Sequence, residues 1–279
     1  MKAPVNRIIP FSNVDGPGNR LAIFFQSCNF RCRFCHNPET IRYCIGCGIC
    51  VEKCPVRALS FNKDHQVIWD REKCVACDTC IKVCPNMASP KISYMSVEEV
   101  MEKIEEVRPY IKGITTSGGE CTLQKDFLIP LFKEVKKLGL TCFVDSNGTL
   151  DFESEKELTE ALDMVMLDVK AYDSSWHQYL CGTDNKMVLK NLDYLLSIDK
   201  LYEVRTVLIP GREKENKETV SSVAKIIGDR CIYKIIRYRP FGVRESEIKN
   251  LSEDEFSLEE AQKYVDLAKE LGAAKAYVV

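Results

Sequence analysis

The sequence predicts an α/β fold, a partial (βα)6 TIM-like barrel interrupted near its start by a cysteine-rich insertion. Three observations carry this. From Lys91 onward, short apolar runs alternate with amphipathic stretches of helical period, the pattern of βαβ units and a parallel sheet. Counted with a strand at Leu21, the units number six, which suits an open or partial barrel better than a closed eight-fold one. Eight of the fifteen cysteines crowd into residues 44–90, so residues 1–43 and 91–279 are assigned to the barrel and 44–90 to the insertion.

In chain order, Asp15-Gly16-Pro17-Gly18 gives a turn-rich start, because Gly and Pro supply the backbone angles of tight turns. Leu21–Gln26 is the first strand, and a cysteine loop follows it. Within the insertion, Gln66–Trp69 reads as a strand. Ser96 and Glu99 form a capping box that opens a helix over Val97–Val107. The later strands are Gly113–Thr116, Thr141–Val144, Met164–Leu167, Tyr202–Leu208 and Ile232–Arg237. Helices are expected over Phe127–Leu138, Ser154–Leu162, Met187–Ser197, Glu218–Ile227 and Leu258–Leu271. Gly139 falls where a helix stop belongs, and the charged run Arg212–Glu218 reads as a solvated loop and helix start.

Composition narrows the function. With 45% apolar residues the chain can bury a sizeable core and is not disordered. No apolar run approaches the ~18 residues of a membrane span, and the N-terminus has no secretory apolar segment, so neither membrane nor export is expected. Lys+Arg 39 against Asp+Glu 41 leaves no basic footprint for nucleic acid. Fifteen cysteines without an export signal imply reduced thiols and a cytoplasmic setting.

The cysteines fall in three groups. Cys28-x3-Cys32-x2-Cys35 supplies three thiolates where a structural zinc takes four protein ligands, which leaves one iron of a four-iron cluster open. His36, on the same tight loop, is poorly placed to be a fourth ligand. Cys44-x2-Cys47-x2-Cys50-x3-Cys54-Pro55 and Cys74-x2-Cys77-x2-Cys80-x3-Cys84-Pro85 reproduce the bacterial ferredoxin run, whose fourth cysteine ligates the other cluster. The expected quartets are therefore Cys44, Cys47, Cys50, Cys84 and Cys54, Cys74, Cys77, Cys80. Two zinc sites are the competing reading of these eight residues. For the clusters themselves, electron transfer competes with a role as structural staples or a docking surface. Cys121, Cys142, Cys181 and Cys231 read as small buried hydrophobes. The loops Thr116–Glu120, Asp145–Gly148 and Asp168–Lys170 each follow a strand, where α/β folds place their ligands.

The three-cysteine group, with Phe34 before its last cysteine, resembles the radical S-adenosylmethionine (SAM) superfamily motif. Gly118-Gly119-Glu120 looks like that superfamily's segment lining the SAM amino group. Together DGPGNR, CHNPET, TSGGE, VDSNGT, MVMLDVKAY and VRTVLIPG resemble the activating enzymes of glycyl-radical enzymes. The insertion, the length and the Phe-Gly-Val-Arg segment near residue 242 most resemble the YjjW-type activases.

The resemblance implies three 4Fe–4S clusters, one binding SAM and two auxiliary. It also implies reductive cleavage of SAM to a 5′-deoxyadenosyl radical, and abstraction of hydrogen from a backbone glycine of a glycyl-radical enzyme. A flavodoxin or ferredoxin would supply the electron. A radical SAM enzyme acting on a small molecule or nucleotide is the alternative. The implied SAM contacts are Phe34, Cys35 and His36 at the adenine and Gly118 and Gly119 at the amino group. Asp145, Ser146, Asn147, Gly148 and Thr149 would line the pocket. Asp168 and Lys170 would meet the SAM carboxylate or the incoming glycine loop, and Arg205 the SAM carboxylate. Arg239 stands where many relatives have a His, and Cys121 is expected to point away from the radical.

Overall fold

In the computed structural model, which describes residues 1–279, a nine-stranded sheet organises the chain and a two-stranded hairpin stands apart from it. The chain opens with β1 (Lys2–Ser12) and β2 (Arg20–Phe25), an antiparallel pair. The turn between them holds Gly16 and Gly18 at φ of +119° and +71°, angles that favour glycine. The cysteine-rich segment contributes α1 (Ile49–Glu52), β3 (Leu59–Phe61), β4 (Val67–Trp69) and α2 (Thr79–Lys82). Next come β5 (Ser93–Ser96) and α3 (Val97–Val107), opened by the expected reciprocal capping box of Ser96 and Glu99. Then follow β6 (Gly113–Gly118), α4 (Lys125–Lys137), β7 (Thr141–Ser146), α5 (Lys156–Ala161), β8 (Met164–Asp168), α6 (Ser174–Cys181) and α7 (Lys186–Ser197). The chain ends with β9 (Leu201–Leu208), α8 (Glu213–Ile227), β10 (Ile232–Arg237), α9 (Glu245–Leu251), α10 (Leu258–Glu270) and β11 (Ala276–Val278).

The sheet order is β11-β10-β9-β8-β7-β6-β2-β1-β5. The six predicted strands, β2 and β6 to β10, lie side by side and parallel. The structure adds a seventh parallel strand, β11, and two antiparallel ones, β1 and β5. These three carry weak signals: β1 contains Pro4 and Pro10, which argue against a strand, and β5 and β11 are only four and three residues long. Helices α6 and α9 are similarly short. The run Arg212–Glu218 is mostly helix rather than loop, since α8 starts at Glu213. Asn216 explains the early start: its side chain exchanges bonds of 2.8 and 3.1 Å with the backbone of Ile209 and ties the first turn to the end of β9.

Strand alternation gives the sheet two unlike faces. Ile114, Cys142, Val144, Val165 and Val204 join the apolar core with the helices, in a cluster of 55 buried residues. The alternate positions, Ser117, Asp145, Met166, Asp168, Glu203 and Arg205, carry the polar groups that meet on the other face. The four isolated cysteines are all buried, as expected of small hydrophobes. No helix is long and apolar enough to cross a membrane.

Candidate functional site

Cys28, Cys32 and Cys35 lie on the loop leaving β2. Ser27 starts it at φ +87°, rare for a residue with a side chain, and cross-links hold the turn: Ser27 N donates to Thr40 O (2.8 Å) and Cys28 N to Ile41 O (3.0 Å). From the far side, the carbonyls ending α6 take up the loop, Cys181 O accepting from Arg31 N (3.0 Å) and Leu180 O from Arg33 N (2.9 Å). Burial pushes the Cys28 and Cys35 thiols up, Cys35 to about 12. Cys32 is raised by a hydrogen bond with Cys181 and by burial. Around the thiols stand groups suited to thiolate: Phe30 N at 3.4 Å and Asn147 Nδ2 at 3.8 Å from Cys28 Sγ. The ammonium of Lys170 is near enough to act on Cys32 and Cys35.

The glycines predicted at the SAM amino group have a packing role. Gly118 sits at φ +119° with Phe25 N and O each 2.3 Å from where a Cβ would be, and a Cβ on Gly119 would lie 2.2 Å from Ser27 O. Only glycine lets the end of β6 run this close to β2. Glu120, next in sequence, is fully buried and organises the neighbouring loop. It accepts from Thr122 Oγ1 (2.6 Å), Thr122 N (3.1 Å), Ser146 Oγ (2.9 Å) and Asn147 N (2.7 Å). Burial still raises its pKa, because these bonds do not fully offset desolvation. Asn147 donates to Asn29 Oδ1 (2.9 Å) and accepts from Thr149 Oγ1 (2.7 Å), while Gly148 N donates to Ser146 Oγ (3.0 Å). The Asp145–Thr149 loop is thereby joined to the cysteine loop. Cys121 is buried, its thiol bonded to Thr116 O (3.3 Å) and Asp145 O (3.4 Å) within the core.

Asp168 and Lys170 pair at 2.8 Å, and Lys170 lies 5.4 Å from the ring centre of Phe34. Burial works against the Lys170 charge, but Asp168 and the thiols of Cys32 and Cys181 outweigh it and raise its pKa. Arg205 is spanned by Asp145 (2.9 Å), Glu203 (2.5 Å) and Met166 Sδ (3.1 Å), so its donors are already engaged by the protein. His36 Nε2 lies 3.1 Å from Arg239 O, which brings the Arg239 segment over the cysteine loop. The sequence reading did not single out Asn29 or Glu203, nor Glu120 and Arg244 beyond their places in the Gly-Gly-Glu and Phe-Gly-Val-Arg segments. Isolated polar residues carry no periodic signal, and only those segments marked two of them.

In residues 44–90, cysteines line two cavities. Cys44, Cys47, Cys50 and Cys84 line one, which Cys80 also touches. Cys54, Cys74, Cys77 and Cys80 line the other. The two halves repeat a backbone device: Gly46 and Gly48 hold φ of +72° and +80°, and Ala76 and Asp78 hold +52° and +56° in the second run. No three His, Cys, Asp or Glu side chains gather tightly enough to share a single ion.

Residues 22–225 match the family model described as the radical SAM superfamily. The chain is 30% identical over 267 residues to a Haemophilus influenzae protein described as a glycyl-radical enzyme activating enzyme, covering 87% of this chain and 84% of that one. It is 32% identical to the choline trimethylamine-lyase activating enzyme of Oleidesulfovibrio alaskensis, covering 75% and 73%. In structure it resembles a domain of the pyruvate-formate lyase-activating enzyme of Bacteroides vulgatus, with TM-score 0.50, 24% identity, and 61% of this chain and 99% of that chain covered. Streptococcus suis SuiB bound to its precursor peptide gives TM-score 0.59 at 11% identity, covering 91% and 47%.

Proposed function

The chain belongs to the radical SAM superfamily and, within it, to the glycyl-radical enzyme activating enzymes; from this we propose that it cleaves SAM reductively and installs a radical on a backbone glycine of a partner enzyme. One observation supports the reading most. Three thiols, Cys32 buried and Cys28 and Cys35 half-buried, lie beside the carboxyl ends of the parallel strands, faced by amide donors and Lys170 rather than by a fourth cysteine of their own motif.

The residues fit a four-iron cluster at Cys28, Cys32 and Cys35: the thiols are buried or half-buried, donors suited to thiolate lie beside them, and the motif stops at three. When bound, that cluster supplies the electron that breaks the sulfonium bond of SAM. The chain's residues do the rest by placement. Gly118 and Gly119 offer backbone to the SAM amino group, and the Asp145–Thr149 loop, fixed by Glu120, walls the nucleoside. Phe34 and His36 flank the adenine. Asp168 and Lys170 present charge to the SAM carboxylate or the glycine loop, and burial keeps water from a reactive carbon radical. Arg205 and Arg239 complete the pocket wall.

For residues 44–90 we infer a ferredoxin-like unit with two further four-iron clusters. The ferredoxin spacing of the eight cysteines and the crossed quartets around two separate cavities support this. Its role would be to receive electrons from a low-potential protein donor, flavodoxin or ferredoxin. The free cysteines suit a reducing, cytoplasmic compartment.

Anaerobic reconstitution tests the whole. About twelve irons per chain, 5′-deoxyadenosine formation with SAM and dithionite, and a glycyl radical on a candidate partner by electron paramagnetic resonance are expected. Zinc in place of iron, or SAM left intact, overturns it.

A further inference from the structure

We propose that Arg244 is the positioning residue that locks the cysteine-rich segment against the three-cysteine loop, an inference that rests on the functional reading above. Its side chain is only 15% exposed and joins parts of the chain remote in sequence. Nη1 donates to Met87 Sδ at 2.9 Å, and Nη2 donates to Cys32 O at 3.4 Å. Glu247, 3.5 Å from Nη2, also accepts from Arg33 at 2.7 Å, so the counter-charge of Arg244 is tied to the same cysteine loop. Nε is buried with no partner, although buried donors are normally satisfied. Arg244 is the N-cap residue of α9, but its side chain makes no capping bond, so the helix does not account for the orientation of that side chain.

The other end of the strut is equally fixed. Met87 holds φ +52°, its carbonyl accepts from Arg42 N (3.0 Å), and Ala88 pairs with Arg42 in an isolated parallel bridge. Arg42 in turn follows Ile41, whose carbonyl accepts from Cys28 N. Asn86 and Ala88 line the cavity of Cys44, Cys47, Cys50 and Cys84, and neither lines the other one. Arg244 therefore sits between Cys32 and the Cys44 quartet. That quartet is the one next to the SAM site, and the Cys54 quartet is the remote one.

Neighbouring paramagnetic clusters split each other's resonances, so the fully reduced, iron-loaded chain reports the spacing directly. Arg244→Ala is expected to keep about twelve irons yet lose the splitting between the SAM-site cluster and its neighbour. Arg244→Lys, which keeps the charge, is expected to restore part of it. Met87→Leu, which removes the sulfur acceptor at similar volume, is expected to weaken the same splitting and serves if Arg244→Ala does not fold. An unchanged spectrum in iron-replete Arg244→Ala, or in Met87→Leu where that variant stands in, overturns the proposal and leaves the functional reading intact. About four irons in the unaltered chain would overturn this proposal together with the two-cluster reading of residues 44–90, while the cleavage of SAM would stand.

Discussion

Arg205 on β9 reaches across β8 to Asp145 on β7, its Nη1 2.9 Å from Oδ2, with the two side chains 12% and 14% exposed. Burial alone would raise the Asp145 carboxyl, and the guanidinium opposes that rise without cancelling it. Removing one partner of such a pair strands a charge in a poorly solvated place. Arg205→Met should cost about 3–5 kcal/mol of stability, read from the urea midpoint of the apo chain. Combining it with Asp145→Asn should recover part of that loss. A single variant as stable as the parent would show that Glu203 and Lys234 carry the network alone.

Glu120 accepts four bonds, two from the Ser146–Asn147 turn and two from Thr122, and so ties that turn to the start of the following segment. In Glu120→Gln one carboxylate oxygen becomes an NH2 facing groups that also donate. A loss of about 1–3 kcal/mol follows from the unmade bonds. The displaced turn should weaken SAM binding about tenfold, equivalent to 1.4 kcal/mol, with iron at the three-cysteine loop retained. Titrating SAM into the loaded protein decides this, and unaltered affinity would detach Glu120 from the pocket.

The three cysteine groups should separate by iron content. Cys32→Ala is expected to leave about eight irons of twelve and no 5′-deoxyadenosine. Cys47→Ala should also lower the iron content, while dithionite still drives SAM cleavage through the intact three-cysteine loop. If Cys47→Ala stopped cleavage even with dithionite, the insertion would have to take part in the chemistry itself.

Loading of the three-cysteine loop should depend on pH. Burial holds the Cys28 and Cys35 thiols protonated well above their ordinary range, and ligation requires thiolate. Below such a pKa the thiolate fraction grows about tenfold per pH unit. Iron uptake at this loop should therefore quicken from pH 7 to pH 9. A flat profile would mean that the thiols ionise before iron arrives.

Much of this molecule was legible in its sequence, for definite reasons. The six parallel strands appear as apolar runs because both of their faces are covered. The cysteine groups appear because ligand spacing is local. Ser96 with Glu99 and Gly139 mark helix ends by the chemistry of the backbone groups left there; Gly139 duly adopts φ +74° past α4. What escaped depends on tertiary contact. β1 forms despite two prolines because β2 and β5 pair with it on either side. The start of α8 is set by Asn216, whose partner is fixed only once β9 is in place. Helix α6 looks too short to matter, yet its terminal carbonyls hold the cysteine loop. Arg244 joins residues 87 and 32, a pairing that no local pattern announces.

The bonds from Ser27 to Thr40 and from Cys28 to Ile41 close the first cysteine loop before residue 44, and the Arg42–Ala88 bridge brings together the entry and exit of everything between. The two ends of the intervening stretch thus lie side by side. A chain rejoined between Arg42 and Ala88 is expected to keep the bonds that close its first cysteine loop, because both of them lie before the junction.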